Sequence, residues 1–213
     1  MISSVFKLLA ERREWFLSLL LEHMGISAIS ITIAGVVGLL LGIWVSEHPR
    51  LAPIVMGTTN VVYTIPSIAL LGLLIPLLGV GNKTAITALS VYALLPMVRN
   101  TYAGISSIDK DIIEAARGMG STRGQILSRI KLPLAMPIIL AGIRNMVVMT
   151  IAVAGIASFI GAGGLGVAIY RGITTNNAAM TFAGSFLIAL LALICDSLLG
   201  ILVTYIRQLR RMN

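Results

Sequence analysis

The sequence predicts an all-α polytopic membrane protein, with five spanning helices preceded by an amphipathic helix lying on the membrane surface. Three observations carry this expectation. The 213 residues are 57% hydrophobic and only 11% charged, whereas a soluble domain carries roughly 25% charged residues. Mean hydropathy is +0.97. The apolar residues lie in long uncharged runs, and about 20 such residues suffice to cross a bilayer as a helix. Lipid offers the backbone no hydrogen bonds, so helices are expected. The alternating pattern of a membrane barrel is absent.

Residues 1–23 are the expected interfacial helix. In VFKLLAERREWFLSLLLEH (5–23) leucines and aromatics alternate with Lys7, Arg12 and Arg13, as in helices that rest in the headgroup region. The first uncharged run lies between His23 and Glu47. It exceeds a signal-peptide core of roughly 7–15 residues, and span 1 is expected at 24–45. Span 2 is expected at 53–78. It is bent, because Pro66 and Pro76 interrupt its interior and Pro53 opens it. Span 3 follows at 84–104, span 4 at 134–156 and span 5 at 180–205. One single transmembrane domain, 1–213, is the expected organisation.

Residues 106–132 break the apolar pattern. They carry Asp109, Lys110, Asp111, Glu114, Arg117, Arg123, Arg129 and Lys131, too polar for lipid. Five basic residues in this loop, three at 207–211 and Arg50 lie on one side of a five-span topology. Lys7, Arg12, Arg13, Lys83 and Arg171 lie on the other. Basic loops stay in the cytoplasm, so 106–132 and the C-terminus are expected inside and the N-terminus outside. The net charge of +8 therefore reads as topology rather than nucleic-acid binding. The single cysteine, Cys195, permits no internal disulfide.

The polar loop contains the most informative spacing. Glu114-Ala115-Ala116 is followed after three residues by Gly120, and nine residues later by Ile130-x-Leu132-Pro133. Ile112, Ile113, Ala116 and Met119 give a short helix one apolar face. Gly120 lets the backbone turn, Ser121 can cap a second short helix, and Pro133 and Pro137 begin the next span. The expected product is a helix–turn–helix that fits a groove on a soluble partner.

This spacing resembles the signature loop of ABC importer permeases. TNVVYTIPSIALLGLLIPLLGVG (59–81), ALLPMVRNTYAGI (93–105) and ASFIGAGGLG (157–166) are similar to the permeases of osmoprotectant importers, which move glycine betaine, carnitine and choline. The resemblance covers spans 2–5 and is loose over the first 25 residues. It implies a five-span core in the cell's inner membrane, paired with a second permease that is either a copy or a paralogue. It also implies two cytoplasmic ABC ATPases, which bind ATP and Mg, and an extracytoplasmic substrate-binding protein. Glu114, Ala115, Ala116, Gly118, Met119 and Gly120 would couple to the ATPase. Methionine or another small solute is the alternative cargo.

The chain itself is expected to be neither enzyme nor nucleotide binder. It has no G-x-x-x-x-G-K-[ST], and GAGGLG (161–166) lacks a preceding strand. His23 and His48 are the only histidines and fall on different sides, so no metal site or hydrolytic triad is expected. Tyr63, Pro66, Ser67 and Tyr92 are candidates for the substrate path, since tyrosine rings can meet a quaternary ammonium. A channel or an energy-independent carrier would also have five spans but would not need the docking-type loop. Arg99, Arg144 and Asp196 are expected as structural charges within the spans. Arg144 lies 11 residues beyond Pro133, and Asp196 lies 11 before Arg207, which puts both roughly 16 Å from one face. Charges at such depth are costly unless paired. Asp196 is expected to pair with Arg144, or failing that with Arg99.

Overall fold

The computed structural model describes residues 2–211, and side chains from 3 to 205. It is helical throughout, with no strand among the described residues. The helices in chain order are α1 (Ile2–Glu11), α2 (Arg13–Glu47), α3 (Ala52–Thr64), α4 (Ser67–Leu78), α5 (Asn82–Ser106), α6 (Lys110–Gly118), α7 (Arg123–Ile126), α8 (Leu132–Ala154), α9 (Gly166–Thr174) and α10 (Ala178–Arg211). A wide π turn, Leu127–Lys131, joins α7 to α8, and a 3₁₀ segment, Gly155–Ile160, follows α8. The basic end at 207–213 lies outside the residues whose side chains are described.

Three stretches are long and apolar enough to cross a bilayer: Arg13–Glu47, Arg123–Ile160 and Ala178–Tyr205. The pair α3 and α4 makes a fourth if its two arms, bent by 96°, count as one span. Pro66 is the cause of the bend. A residue before proline is pushed out of the helical region, and Ile65 is extended at φ −67°, ψ 124°. The expected bent span is therefore a broken one. The remaining helix, α5, falls short of the other three in hydropathy. It lies between α2 and α8, and its buried face includes Thr84, Ser90 and Thr101. A helix surrounded by protein has no need of an apolar surface for lipid.

Small residues allow α5 its close neighbours. A Cβ at Gly42 of α2 would sit 2.6 Å from the Thr101 Cβ, and one at Gly142 of α8 would sit 2.6 Å from the Asn100 Cβ. Helices in lipid gain little from burying apolar surface against each other and rely on such close approach. A second cluster joins Val5, Phe16 and Leu19 to Leu165, Ala168, Met180 and Ala183.

The N-terminal region differs from the expected interfacial helix at 1–23. Helix α1 ends at Glu11, and residues 13–23 are the first turns of α2, continuous with span 1. No proline occurs between Arg13 and Glu47, so nothing stops the helix from growing backwards from the span. The apolar face of α1 is used against protein, with Val5 buried and Leu8 and Leu9 packed onto the α9–α10 cluster.

Candidate functional site

At one end of α2 and α5 the chain forms a small projecting knob. Asp109 caps α6, its carboxylate accepting from the Asp111 N–H at 2.9 Å. The helix closes where the Gly120 N–H donates to the Arg117 carbonyl at 2.9 Å and the Ser121 N–H to the Ala116 carbonyl at 3.0 Å. This double bond pattern requires a left-handed residue, and Gly120 supplies it at φ 82°. The second short helix is capped by Thr122, not Ser121 as expected. The Thr122 hydroxyl accepts from the Gln125 N–H at 3.3 Å, and the Gln125 side chain accepts from the Thr122 N–H at 2.8 Å. Threonine followed three residues later by glutamine satisfies both donors reciprocally.

Of the expected coupling residues only Ala116 is buried; Glu114, Ala115, Gly118, Met119 and Gly120 are exposed. Met119 is 80% exposed and Ile112 is 45% exposed. Half of the apolar face expected for this helix, Ile112 and Met119, is thus left uncovered by its own chain, while Ala116 is buried and Ile113 half-buried. A hollow of about 480 Å³ separates α6 from the ends of α2 and α5, bounded by Ser46, Tyr102, Glu114 and Arg117. Lys131 spans it, its ammonium 2.5 Å from the Glu47 carboxylate.

A second feature lies within the helices. Two adjoining clefts, about 550 and 410 Å³, share Tyr63, Pro96 and Asn145 as walls. The larger is closed by Met149 of α8 and Asp196 of α10, the smaller by Asn60, Arg99 and Asn100. Tyr63 meets Tyr92 edge to face at 6.1 Å, and its hydroxyl donates to the Met149 sulfur at 3.3 Å. The Tyr92 hydroxyl donates to the Ile65 carbonyl, filling one acceptor freed by the break at Pro66. The structure therefore brings Tyr63 and Tyr92 together. Pro66 and Ser67 sit at the break itself and line neither cleft. Asp196 takes the first of its two expected partners: Arg144 donates two parallel bonds to its carboxylate, one of 2.5 Å from Nη2. Arg99 has no ion pair among the described residues.

The opposite end of α2 and α5 carries a polar knot that sequence reasoning missed. The Glu22 carboxylate accepts from Asn82 Nδ2 and from the Gly164 N–H, each at 3.2 Å. The Asn82 carbonyl oxygen accepts from the Gly163 N–H at 2.8 Å. Beneath it His23 is buried, with Nε2 3.0 Å from the Ile151 carbonyl. Three segments far apart in sequence meet here, and no local spacing announces it. Among the described residues no group of three His, Cys, Asp or Glu converges as metal ligands would.

The family described as binding-protein-dependent transport system inner membrane component matches residues 34–211. The chain belongs to that family. It is thus a permease component of an ABC importer, a multi-pass membrane protein and not a catalytic subunit. The permease is 41% identical over 180 residues to the carnitine transport permease protein OpuCD of Listeria monocytogenes, covering 84% of this chain and 81% of that one. It is 43% identical over 187 residues to the osmoprotectant import permease protein OsmW of Salmonella typhimurium, covering 85% and 87%. In structure the permease is similar to a chain of the MetNI methionine ABC transporter in an inward-facing conformation. There the TM-score is 0.82 at 25% identity, with 90% of this chain and 96% of that chain covered. The family match includes the knob and both clefts but begins after Glu22 and His23.

Proposed function

We propose that this permease carries betaine-type osmolytes, and that ATP hydrolysis on a separate subunit drives it. The observation that carries the reading is identity above 40% to permeases named for carnitine and for osmoprotectants. A further relative, from Bacillus subtilis, is named for glycine betaine, carnitine and choline. These solutes share a trimethylammonium group. Tyr63, a wall of both clefts, offers the aromatic surface that such a group favours, with Tyr92 packed edge to face against it.

In this reading the knob is the docking element. Glu114, Ala115, Ala116, Gly118, Met119 and Gly120 enter a groove on a cytoplasmic ABC ATPase that binds ATP and Mg. Two ATPases and a second permease complete the membrane unit, and an extracytoplasmic binding protein delivers the solute. Support comes from the uncovered Met119 and Ile112, an apolar face on an otherwise charged loop, as at interaction surfaces. The chain crosses the membrane five times, with its N-terminus outside and its C-terminus inside. Helix α5 is the fifth crossing: its 25 residues extend about 37 Å, enough for a hydrocarbon core of about 30 Å.

The test is reconstitution of the permease with its ATPase and binding protein in liposomes, followed by uptake of labelled solutes. ATP-dependent uptake of glycine betaine, carnitine or choline is expected. Uptake of methionine alone would overturn the substrate class, and uptake without ATP would favour an energy-independent carrier.

A further inference from the structure

We propose that Arg99 is the carboxylate-reading residue of the transport path. It would receive the acidic end of a zwitterionic osmolyte within the cleft between α3, α5 and α8. The inference rests on the osmolyte reading above and adds to it a specific side chain.

Four facts converge on this arginine. First, it lies inside a spanning helix with its side chain exposed to the cleft. Arg99 lies 17 residues from Asn82 and seven from Ser106 along α5, roughly 25 Å and 10 Å from the two helix ends. Second, it is unmatched: Arg144 has Asp196 and Lys131 has Glu47, while Arg99 has no acidic partner among the described residues. An intramembrane charge without a partner marks a polar pathway. Third, it has polar company beside the apolar Leu95, Pro96 and Ala103. Asn60, Asn100 and Asn145 share its cleft. Asn60 and Asn145 are exposed and make no hydrogen bond among the described residues; Asn100 spends its amide on the Pro96 carbonyl at 2.7 Å. Fourth, Tyr63 forms a wall common to this cleft and the next.

Chemistry selects the ligand. Asp196 at the wall of the larger cleft is already paired with Arg144, which lines neither cleft, so Arg99 is the one lining charge without a partner among the described residues. A free cation such as choline can lie against Tyr63 but offers the guanidinium nothing to hold, so Arg99 favours a zwitterion over it. A betaine brings a carboxylate that a guanidinium holds through paired hydrogen bonds, while its trimethylammonium group lies a few ångströms away against Tyr63. Either cleft exceeds about 300 Å³, the lower end of small-molecule sites.

The experiment compares glycine betaine with choline, which has the same cationic head and no carboxylate. Wild type, R99Q and R99K are reconstituted with the ATPase and binding protein, and initial uptake rates are measured over a range of concentrations. R99Q should lower the ratio of glycine betaine to choline uptake about tenfold or more, as expected for loss of a charged hydrogen bond. R99K, which keeps the charge, should recover part of that ratio. If wild type does not carry choline, recovery of glycine betaine uptake by R99K over R99Q decides alone. An unchanged ratio, or R99K no better than R99Q, would overturn the role of Arg99 and leave the osmolyte reading standing. Wild-type uptake of none of glycine betaine, carnitine and choline would overturn that reading and this proposal with it.

Discussion

The two ends of the α2–α5 pair are built on opposite plans. At one end Glu22, Asn82 and the Gly163–Gly164 backbone tie three distant segments together. At the other, α6 and α7 are held by their own caps and turns, and one ion pair, Lys131 to Glu47, anchors the stretch behind them. The first end bonds Glu22, Asn82 and the glycine backbone to one another, although His23 Nδ1 beneath them is left without a hydrogen-bond partner. The second leaves Met119, Ile112 and Glu114 to the surroundings. An end closed on itself suits a part that must hold its shape, and an end with spare apolar and charged surface suits a part that meets another protein. The contrast yields four expectations.

The largest effect is expected at the knob. Glu114→Lys should cut ATP-driven uptake about 30-fold or more, the size of an interface hot spot. Thermal stability and membrane insertion should match wild type. Normal uptake and normal co-purification of the ATPase would remove Glu114 from the interface.

At the knot the same kind of change should act on stability instead. Gly164 has φ 92°, and a Cβ there would lie 3.0 Å from His23 Nδ1. Gly164→Val should destabilise the permease by about 1–3 kcal/mol through backbone strain, read as a lower melting temperature in detergent. Docking of the ATPase should survive. A variant that melts normally but fails to dock would erase the distinction between the two ends.

Between the ends, Asp196→Asn leaves Arg144 with a weaker partner and should lower the melting temperature. Asp196→Arg combined with Arg144→Asp should recover part of the loss. Additive losses in the double variant would show that the two side chains act independently. The smallest effect belongs to Thr122→Ala, which removes one half of the capping box and should cost about 1 kcal/mol of local helix stability. Faster hydrogen exchange confined to 122–127 would measure it. Exchange spreading into α8 would mean that the knob is less independent than its bonding suggests.

Much of this architecture is legible residue by residue. Pro66 signals the break between α3 and α4 because proline constrains its own neighbour. Gly120 signals the end of α6 because a left-handed residue is needed there. Counting helical rise puts Arg144 and Asp196 at one depth and offers Arg99 as a second partner; the packing chose Arg144. Other features resist such reading. Ser121 and Thr122 are both competent caps, and only Thr122 has glutamine three residues on. The walls of the clefts do leave a trace: 96, 99, 100 and 103 on α5, and 145, 148, 149 and 152 on α8, each repeat at helical spacing. Polar residues in those series mark the face turned towards the clefts.

What depends on local chemistry is written in the order of residues: where apolar runs lie, where proline and glycine end helices, and which loop is too polar for lipid. What depends on distant segments meeting was settled by packing. It joined Glu22 to Asn82 and Gly163, absorbed residues 13–23 into the first span, and left Arg99 alone in a cleft while giving Arg144 a partner. Helical period says which residues share a face. Which neighbour that face meets depends on how small residues such as Gly42 and Gly142 let the helices approach, and so on the packing of the whole bundle.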